Sequence, residues 1–271
     1  MERLAISELT TLRWSLEEDV ERYAAAGAAG IGVWRQKLAD YGEEKGAELI
    51  AEAGLAVSSL QWAGGFTGSD GRTHEDGIAD GRQAIHLAEV LRAGCLVVHS
   101  GARGVHTRNH ARRIFRQALD KLLPLAEERG VTLALEPMAN CGGSDFTFFN
   151  CLEETRELVA SYRSPALKIA LDTYHWGHDP ALLGRLPELA GQLALVQLAD
   201  SRQPPQGEPN RVPLGTGCLP VREIVATLAA GGYEGFFEVE LMGEELEARD
   251  YRETIEQAVR TFGQWTAPAL S

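Results

Sequence analysis

Short apolar runs alternate along the chain with longer stretches that have helical spacing. Eight of these runs have the length and the flanking turn residues of β-strands. They cover residues 4–10, 29–34, 56–62, 95–100, 131–136, 167–172, 193–199 and 235–241. Strands that alternate with helices are typical of a parallel sheet, because parallel neighbours need a long crossover connection. Eight such units favour a closed barrel over an open, doubly wound sheet.

The length of the chain agrees with one closed barrel. It has 271 residues, close to the ~250 residues that are typical of a (β/α)8 barrel. No Pro/Gly/Ser-rich linker and no low-complexity tract divides it. A GxGxxG turn after the first strand, which would indicate a dinucleotide-binding fold, is also missing. We therefore predict a single-domain α/β protein, a (β/α)8 TIM barrel over residues 1–271.

The alternation of side chains within the strands predicts which of them face the barrel interior. Ala134 shares a face with Glu136, and Ala170 shares a face with Asp172, whereas Leu135 lies on the opposite face. Bulky aliphatic residues suit the layer between the barrel and its helices, and small residues suit the crowded interior. The pattern therefore points the two acidic residues inward.

Local signals also mark where several helices begin. Ser15 and Glu18 have the spacing of a capping box just after the first strand. Asn150 and Asp179, the latter followed by Pro180, are predicted as N-caps of two later helices.

Four acidic or amide residues end four consecutive strands of the predicted barrel: Glu136, Asp172, Gln197 and Glu240. The carboxyl ends of barrel strands converge at one mouth, where ligands bind. Three carboxylates at one mouth repel each other unless a cation or protons neutralise them. An all-oxygen ligand set suits Mn²⁺ or Mg²⁺ better than Zn²⁺. The sequence therefore predicts a metalloenzyme with these four residues as metal ligands.

A structural interpretation of the same residues is that they cap the mouth and pair with Arg or Lys. Glu238 lies on the same face as Glu240, one layer deeper in the predicted barrel. An unpaired carboxylate there would be costly, so we expect Glu238 to form a buried ion pair with Lys168.

Composition narrows the classes of partner. The formal net charge of −13 argues against nucleic acid, because binding to phosphates needs clustered Lys and Arg. Cys95, Cys141, Cys151 and Cys218 have no CxxC spacing, which excludes zinc-finger and thioredoxin motifs. The N-terminus has no signal-peptide pattern, and no apolar run reaches the ~18 residues of a membrane span. We expect a soluble, cytoplasmic protein that acts on a small molecule, without nucleic-acid or membrane partners.

The strand ends also resemble a known family. The segments LALEPM, ALDTYH, LVQLAD and GYEGFFEVEL are similar to those of the sugar phosphate isomerase/epimerase family, the xylose isomerase-like TIM barrels. Relatives include D-tagatose 3-epimerase, inosose isomerases and dehydratases, and endonuclease IV. The resemblance covers nearly the whole chain. It implies a divalent-metal-dependent isomerase or epimerase of a ketose, sugar phosphate or keto-polyol, often assembled as a homodimer or homotetramer.

The resemblance also implies roles for the matching positions. Glu136 and Glu240 would be metal ligands and the two catalytic acid/base groups, Asp172 a further ligand, and His175 a substrate contact. Most relatives carry His on strand 7, where this chain has Gln197; an amide oxygen still binds a hard cation. Some dehydratase relatives look like this, so a lyase acting on an inosose or a 3-dehydroshikimate-type acid stays open.

Further candidates lie around the predicted mouth. His99 ends strand 4 and should face the substrate or act as an acid/base group, or else be a satisfied rim histidine. Arg202 and Arg211, in the loop after strand 7, would clamp a carboxylate or phosphate, or be solvated. Trp34 and Trp62 would wall the apolar face of a sugar, or pack at the rim.

Two more functions are weaker alternatives. A binding subunit that keeps the pocket for recognition is disfavoured by the retention of all four ligand positions. A DNA-repair nuclease similar to endonuclease IV would need a His-rich metal site and a basic groove, and the sequence shows neither.

Overall fold

The computed structural model describes residues 3–139, 143–207 and 209–267. Its centre is a closed ring of eight parallel strands. These strands are β1 (Leu4–Ser7), β2 (Gly30–Trp34), β3 (Ala56–Ala63), β4 (Leu96–Val98), β5 (Leu133–Leu135), β6 (Leu167–Asp172), β7 (Leu193–Leu198) and β10 (Phe236–Val239). β1 pairs with both β2 and β10, which closes the ring. The predicted (β/α)8 TIM barrel is confirmed.

Helices connect the strands and cover the outside of the ring. They are α1 (Leu16–Ala26), α2 (Arg35–Tyr41), α3 (Glu43–Glu52), α4 (His74–Val90), α5 (Arg108–Arg129), α6 (Leu152–Tyr162), α7 (Thr173–Trp176), α8 (Leu182–Leu189), α9 (Val221–Ala230), α10 (Glu244–Glu247) and α11 (Tyr251–Thr266). Two short strands, β8 (Asp200–Ser201) and β9 (Arg211–Val212), form an antiparallel pair in the loop after β7. Within the described ranges, we find no helix with the length and apolar character that a bilayer crossing requires.

The structure corrects the predicted extent of the first strand. Residues 4–10 were expected to be extended, but β1 ends at Ser7 and a 3₁₀ helix follows over Glu8–Thr11. The Ser7 side chain caps this turn by accepting a hydrogen bond from the Leu9 backbone N–H at 3.3 Å. A serine hydroxyl that bonds to the local backbone favours a turn over a continued strand.

Of the predicted helix caps, one is confirmed and two are wrong. Ser15 and Glu18 form the expected capping box at the start of α1. The N-cap of α6 is Cys151 rather than Asn150, and its side chain makes no cap hydrogen bond. Asp179 accepts from the Ala181 N–H at 2.9 Å, which makes a local turn before α8 rather than its cap.

The two faces of the strands have the predicted side chains. The barrel interior holds a buried apolar cluster of small and medium residues, against which the larger Trp62 and Phe236 also pack. Its buried members are Cys95, Val97, Ala134, Ala170 and Leu195. The larger apolar cluster, which contains Leu135 and Leu171, includes residues of the surrounding helices. The alternation of side chains was therefore predicted correctly, and it directs Glu136 and Asp172 into the ring.

The expected ion pair between Lys168 and Glu238 is wrong. The strand register aligns Glu238 with Gln197, and Gln197 with Asp172. Asp172 lies four residues beyond Lys168 on β6, about 13 Å along the strand. Lys168 therefore lies at the opposite end of the barrel, where it lines a cavity with Thr132. Glu238 instead accepts hydrogen bonds from uncharged side chains.

Candidate functional site

A buried cluster of polar residues occupies the C-terminal mouth of the barrel. Asp172 ends β6, Gln197 lies near the end of β7, and Glu136 and Glu240 directly follow β5 and β10. The strand order β5–β6–β7–β10 brings these four strand ends together. Their exposed fractions are between 0% and 4%. The four predicted ligand positions therefore lie on neighbouring strands with their side chains shielded from solvent.

Arg211 enters this cluster from the loop after β7. Its guanidinium lies 2.7 Å from Asp172 Oδ2 and 3.6 Å from Glu240 Oε1. It also stacks over the Tyr174 ring, with 4.3 Å between the guanidinium carbon and the ring centroid. Only 4% of Arg211 is exposed. Because its guanidinium lies beside two carboxylates, its positive charge partly neutralises the acidic mouth.

Two histidines contact the carboxylates. His99 Nε2 lies 2.8 Å from Glu136 Oε2, and His175 Nε2 lies 3.8 Å from Asp172 Oδ2. Burial lowers the pKa of His99 to about 3 and that of His175 to about 4, so both rings are neutral near pH 7. The Nδ1 atom of each ring is buried without a partner in the described part of the chain. When the Glu136 carboxylate is ionised, His99 donates to it from Nε2 and keeps Nδ1 as a free acceptor.

The acidic residues carry perturbed acidities. Burial, followed by the negative charge of Asp172, raises the pKa of Glu136 well above its usual value. Burial also raises the pKa of Glu240, and Glu136 and Asp172 add to the effect. Arg211 supplies one positive charge against three carboxylates, so the remaining negative charge needs protons or a cation.

The geometry of the donors fits a divalent cation. Ligand atoms of Glu136, Asp172 and His175 lie within 4.8 Å of one another. Gln197 donates from Nε2 to Glu240 Oε2 at 2.8 Å, and its Oε1 is buried without a partner among the described residues. An unpartnered buried oxygen beside such a cluster is the donor that a hard cation uses. This group of three residues differs from the predicted set of metal ligands, since it contains His175 and lacks Glu240.

Aromatic side chains line the space beside the cluster. The Trp62 ring lies 5.3 Å from the His99 ring, and Phe146 lies 5.8 Å from both. Trp34 and Trp62, together with Gln61, line an adjoining cavity of about 450 Å³. This volume is within the usual range for small-molecule sites.

The two candidate arginines have different surroundings. Arg211 lies in the buried cluster, as described above. The Arg202 side chain is 57% exposed and pairs with Glu245 at 2.6 Å. The structure therefore does not bring Arg202 together with the other candidate residues.

Sequence reasoning missed two residues that contact Glu240. Gln61 Nε2 lies 3.3 Å, and Ser7 Oγ 3.4 Å, from Glu240 Oε2. The segment SSLQW contained a signal for the first, because Ser59 and Gln61 share one face of β3 and are polar inside an apolar barrel. Ser7 gave no comparable signal.

A model of a protein family, described as the xylose isomerase-like TIM barrel, matches residues 20–262. The chain belongs to this family. The search of curated proteins gives no match. Among solved structures, this xylose isomerase-like barrel is similar to protein SMc04130 from Sinorhizobium meliloti 1021, with 25% identity, a TM-score of 0.89, and coverage of 98% of this chain and 99% of that chain.

Two further structures share the fold at lower identity. The IOLI protein, solved with a binding zinc atom, is 20% identical with a TM-score of 0.84, over 97% of both chains. L-ribulose 3-epimerase is 21% identical with a TM-score of 0.78, over 98% of this chain and 94% of that chain.

Proposed function

We propose that this xylose isomerase-like barrel is a divalent-metal-dependent isomerase or epimerase of a ketose, a sugar phosphate or a keto-polyol. The observation that carries the proposal is the pair of buried carboxylates, Glu136 and Glu240, at one mouth of the barrel. Both have pKa values raised by burial, as acid/base groups that work near neutral pH require. The similarity to an L-ribulose 3-epimerase supports the reaction class.

The proposed metal ligands are Glu136, Asp172, Gln197 and Glu240, with His175 as a further donor at 3.8 Å from Asp172. A bound divalent ion would act as a Lewis acid that polarises the substrate carbonyl. The oxygen donors favour Mn²⁺ or Mg²⁺ over Zn²⁺. Zinc belongs in every test of this preference, because the similar IOLI protein was solved with a zinc atom.

The protein side chains would move the protons. Glu136 would remove the proton α to the carbonyl, and its hydrogen bond from His99 at 2.8 Å would fix the orientation of its carboxylate. Glu240 would return a proton, either to the neighbouring carbon, which isomerises the substrate, or to the opposite face, which epimerises it. The guanidinium of Arg211, 3.6 Å from Glu240 Oε1, would stabilise the negative charge that passes between these groups.

Other side chains would hold the substrate. The Nδ1 atom of His99 would accept a hydrogen bond from a sugar hydroxyl, and His175, when its Nε2 binds the ion, would donate one from Nδ1. Trp62 and Trp34 would cover the apolar face of the sugar and exclude water. A cytoplasmic location, which rests on the sequence, and a homodimer or homotetramer, which rests on the resemblance to the family, complete the proposal.

Deuterium exchange tests the reaction. The protein is incubated in D₂O with Mn²⁺, Mg²⁺ or Zn²⁺ and a panel of ketoses and inososes, and products are followed by NMR. We expect deuterium at the carbon α to the carbonyl of at least one compound. The variants Glu136→Gln and Glu240→Gln should each lose ~10²–10⁴-fold in rate, the usual share of a general acid or base.

Arg202→Met is the matched control, because Arg202 pairs with Glu245 outside the cluster; its rate should equal that of the wild type. If no compound of the panel incorporates deuterium with any of the metals, the proposal fails. Exchange accompanied by loss of water and by new ultraviolet absorbance would instead identify a dehydratase.

A further inference from the structure

Glu238 is a fully buried carboxylate in the barrel interior, and the proposed reaction gives it no role. Its exposed fraction is 0%. Oε2 accepts hydrogen bonds from Ser58 Oγ at 2.6 Å and from Ser59 Oγ at 2.7 Å. Oε1 accepts from Gln61 Nε2 at 3.1 Å. All three donors are uncharged, so the carboxylate has hydrogen bonds but gains no ion pair from them.

A β-bulge and a glycine on the neighbouring strands make room for the Glu238 carboxylate. The pairing of β2 with β3 shifts by one residue, because Ile31 pairs with Val57 but Gly32 pairs with Ser59. Ser58 is the extra residue of this bulge, which allows two successive serines to reach the same carboxylate. A Cβ atom at Gly32 would lie 2.5 Å from Glu238 Oε2. The bulge and the glycine together make a specific pocket for this carboxylate.

Gln61 connects this pocket with the proposed catalytic site. Its Nε2 also lies 3.3 Å from Glu240 Oε2. The Gln61 amino group therefore donates to both glutamates. Gln197 Nε2 donates to the same Glu240 oxygen at 2.8 Å. Gln61 and Gln197 thus hold the Glu240 carboxylate through Oε2, whereas Oε1 lies 3.6 Å from the guanidinium of Arg211.

Stability does not explain the presence of Glu238. The hydrogen bonds of its carboxyl group to three uncharged side chains add little net stability over apolar groups of the same shape. A buried polar residue that contributes little to stability and contacts the support of a catalytic group is best explained by that group.

We propose that Glu238 is a positioning residue, which acts through Gln61 to hold the Glu240 carboxylate with Oε1 presented to the substrate and the metal. The inference rests on the proposed function for the role of Glu240. It assigns no chemical step to Glu238, and it requires an acceptor at this position rather than a charge.

Three variants separate positioning from a structural role. Glu238→Met removes the acceptor, and kcat should fall ~10-fold or more with little change in KM, since supports of this kind contribute ~10–100-fold. The thermal midpoint should fall, because Ser58, Ser59 and Gln61 lose their acceptor. Glu238→Gln keeps an acceptor for Gln61 and should restore kcat to within ~3-fold of wild type. Glu234→Met, at an exposed position before the same strand, is the control.

A double-variant cycle tests the path through Gln61. Gln61→Met should lower kcat as Glu238→Met does, and the double variant should be no slower than the worse single variant, because linked residues are not additive. Fully additive losses, or a Glu238→Gln variant as slow as Glu238→Met, would overturn the inference.

Two readouts do not need turnover. Electron paramagnetic resonance titration should show ~10-fold weaker Mn²⁺ binding in Glu238→Met and wild-type binding in Glu238→Gln. Crystal structures should show the Glu240 carboxylate rotated away from position 61 in Glu238→Met. If wild-type protein turns over no sugar, the proposed function fails but these structures still decide the inference, and an unmoved Glu240 overturns it.

Discussion

At the residue scale, burial raises the pKa of several single carboxyl groups of this barrel. Glu8 shows the effect away from the proposed catalytic site. Its Oε2 accepts from the Trp34 N–H at 2.6 Å, but its Oε1 is buried without a partner among the described residues. Asp19, which pairs with Lys37, adds a nearby negative charge. Burial first, and then Asp19, raise the pKa of Glu8 well above its usual value.

Glu8 should therefore weaken the fold as pH rises. Between the ordinary pKa of a glutamate and the raised value, the folded protein binds more protons than the unfolded chain, so the free energy of unfolding falls with pH. Glu8→Gln cannot ionise and keeps an acceptor for Trp34. Its stability advantage over wild type should grow from pH 4 to pH 7, by ~1.4 kcal/mol for each unit by which the pKa is raised.

Urea unfolding at several pH values measures this difference. Glu17→Gln is the control, because Glu17 is exposed on α1 and such surface changes stay within ~0.5 kcal/mol. A difference between Glu8→Gln and wild type that does not change with pH would contradict the prediction.

At the scale of elements, the bulge between β2 and β3 depends on a glycine. Gly32→Ala would place its Cβ 2.5 Å from the Glu238 carboxylate, which is itself held by Ser58 and Ser59. Because the barrel interior cannot expand freely, we expect a loss of ~1–3 kcal/mol in the free energy of unfolding, the usual cost of overpacking. Chemical denaturation measures it.

Gly184→Ala is the matched control, and it should change the free energy of unfolding in the opposite direction. Gly184 lies inside α8, and a Cβ there would meet no atom within 4 Å. Alanine at this exposed position should stabilise the helix by ~0.5–1 kcal/mol, because glycine loses more backbone entropy on folding. If Gly32→Ala were as stable as wild type, the pocket around Glu238 would be more adaptable than the structure shows.

The sequence predicted most of the strands and one helix cap, and it missed the boundaries of two elements. The eight strands were found because apolar alternation is local, and the cap at Ser15 was found because both of its partners lie within four residues. The end of β1 was missed because the Ser7 side chain caps a turn there, which the apolar run does not reveal. The start of α6 was placed one residue too early, because the local signal at Asn150 is not used and Cys151 is the N-cap. The Lys168–Glu238 pair failed for a related reason, since parity gives the face of a residue but not its depth in a closed ring.

At the scale of the whole molecule, the strand ends of the site were predictable and the loop that covers them was not. Glu136, Asp172, Gln197 and Glu240 meet because parallel strands share one mouth. The inward position of Arg211 depends on the β8–β9 hairpin, which pairs Ser201 with Arg211. No periodicity in that loop distinguishes Arg211 from Arg202, so the sequence left both as candidates.

The charge balance of the mouth links this loop to metal binding and to overall stability. Arg211 holds Asp172 at 2.7 Å and would therefore compete with the proposed cation for that carboxylate. We expect saturating Mn²⁺ to raise the free energy of unfolding, by ~2.7 kcal/mol at one hundred times its Kd. Arg211→Met should be less stable than wild type in EDTA, because removing one partner leaves buried charges unpaired, and should gain more from Mn²⁺.

Calorimetry in EDTA and at one fixed Mn²⁺ concentration measures the stability that wild type and Arg211→Met each gain from the ion. Asp172→Asn should lose most of the Mn²⁺ effect, whereas Arg202→Met should gain as much as wild type, since that arginine pairs with Glu245 outside the site. Equal gains in Arg211→Met and wild type would mean that the ion and the guanidinium do not share Asp172. The ion would then bind away from the β6 strand end, and the proposed ligand set would be wrong even if the fold and the family are right.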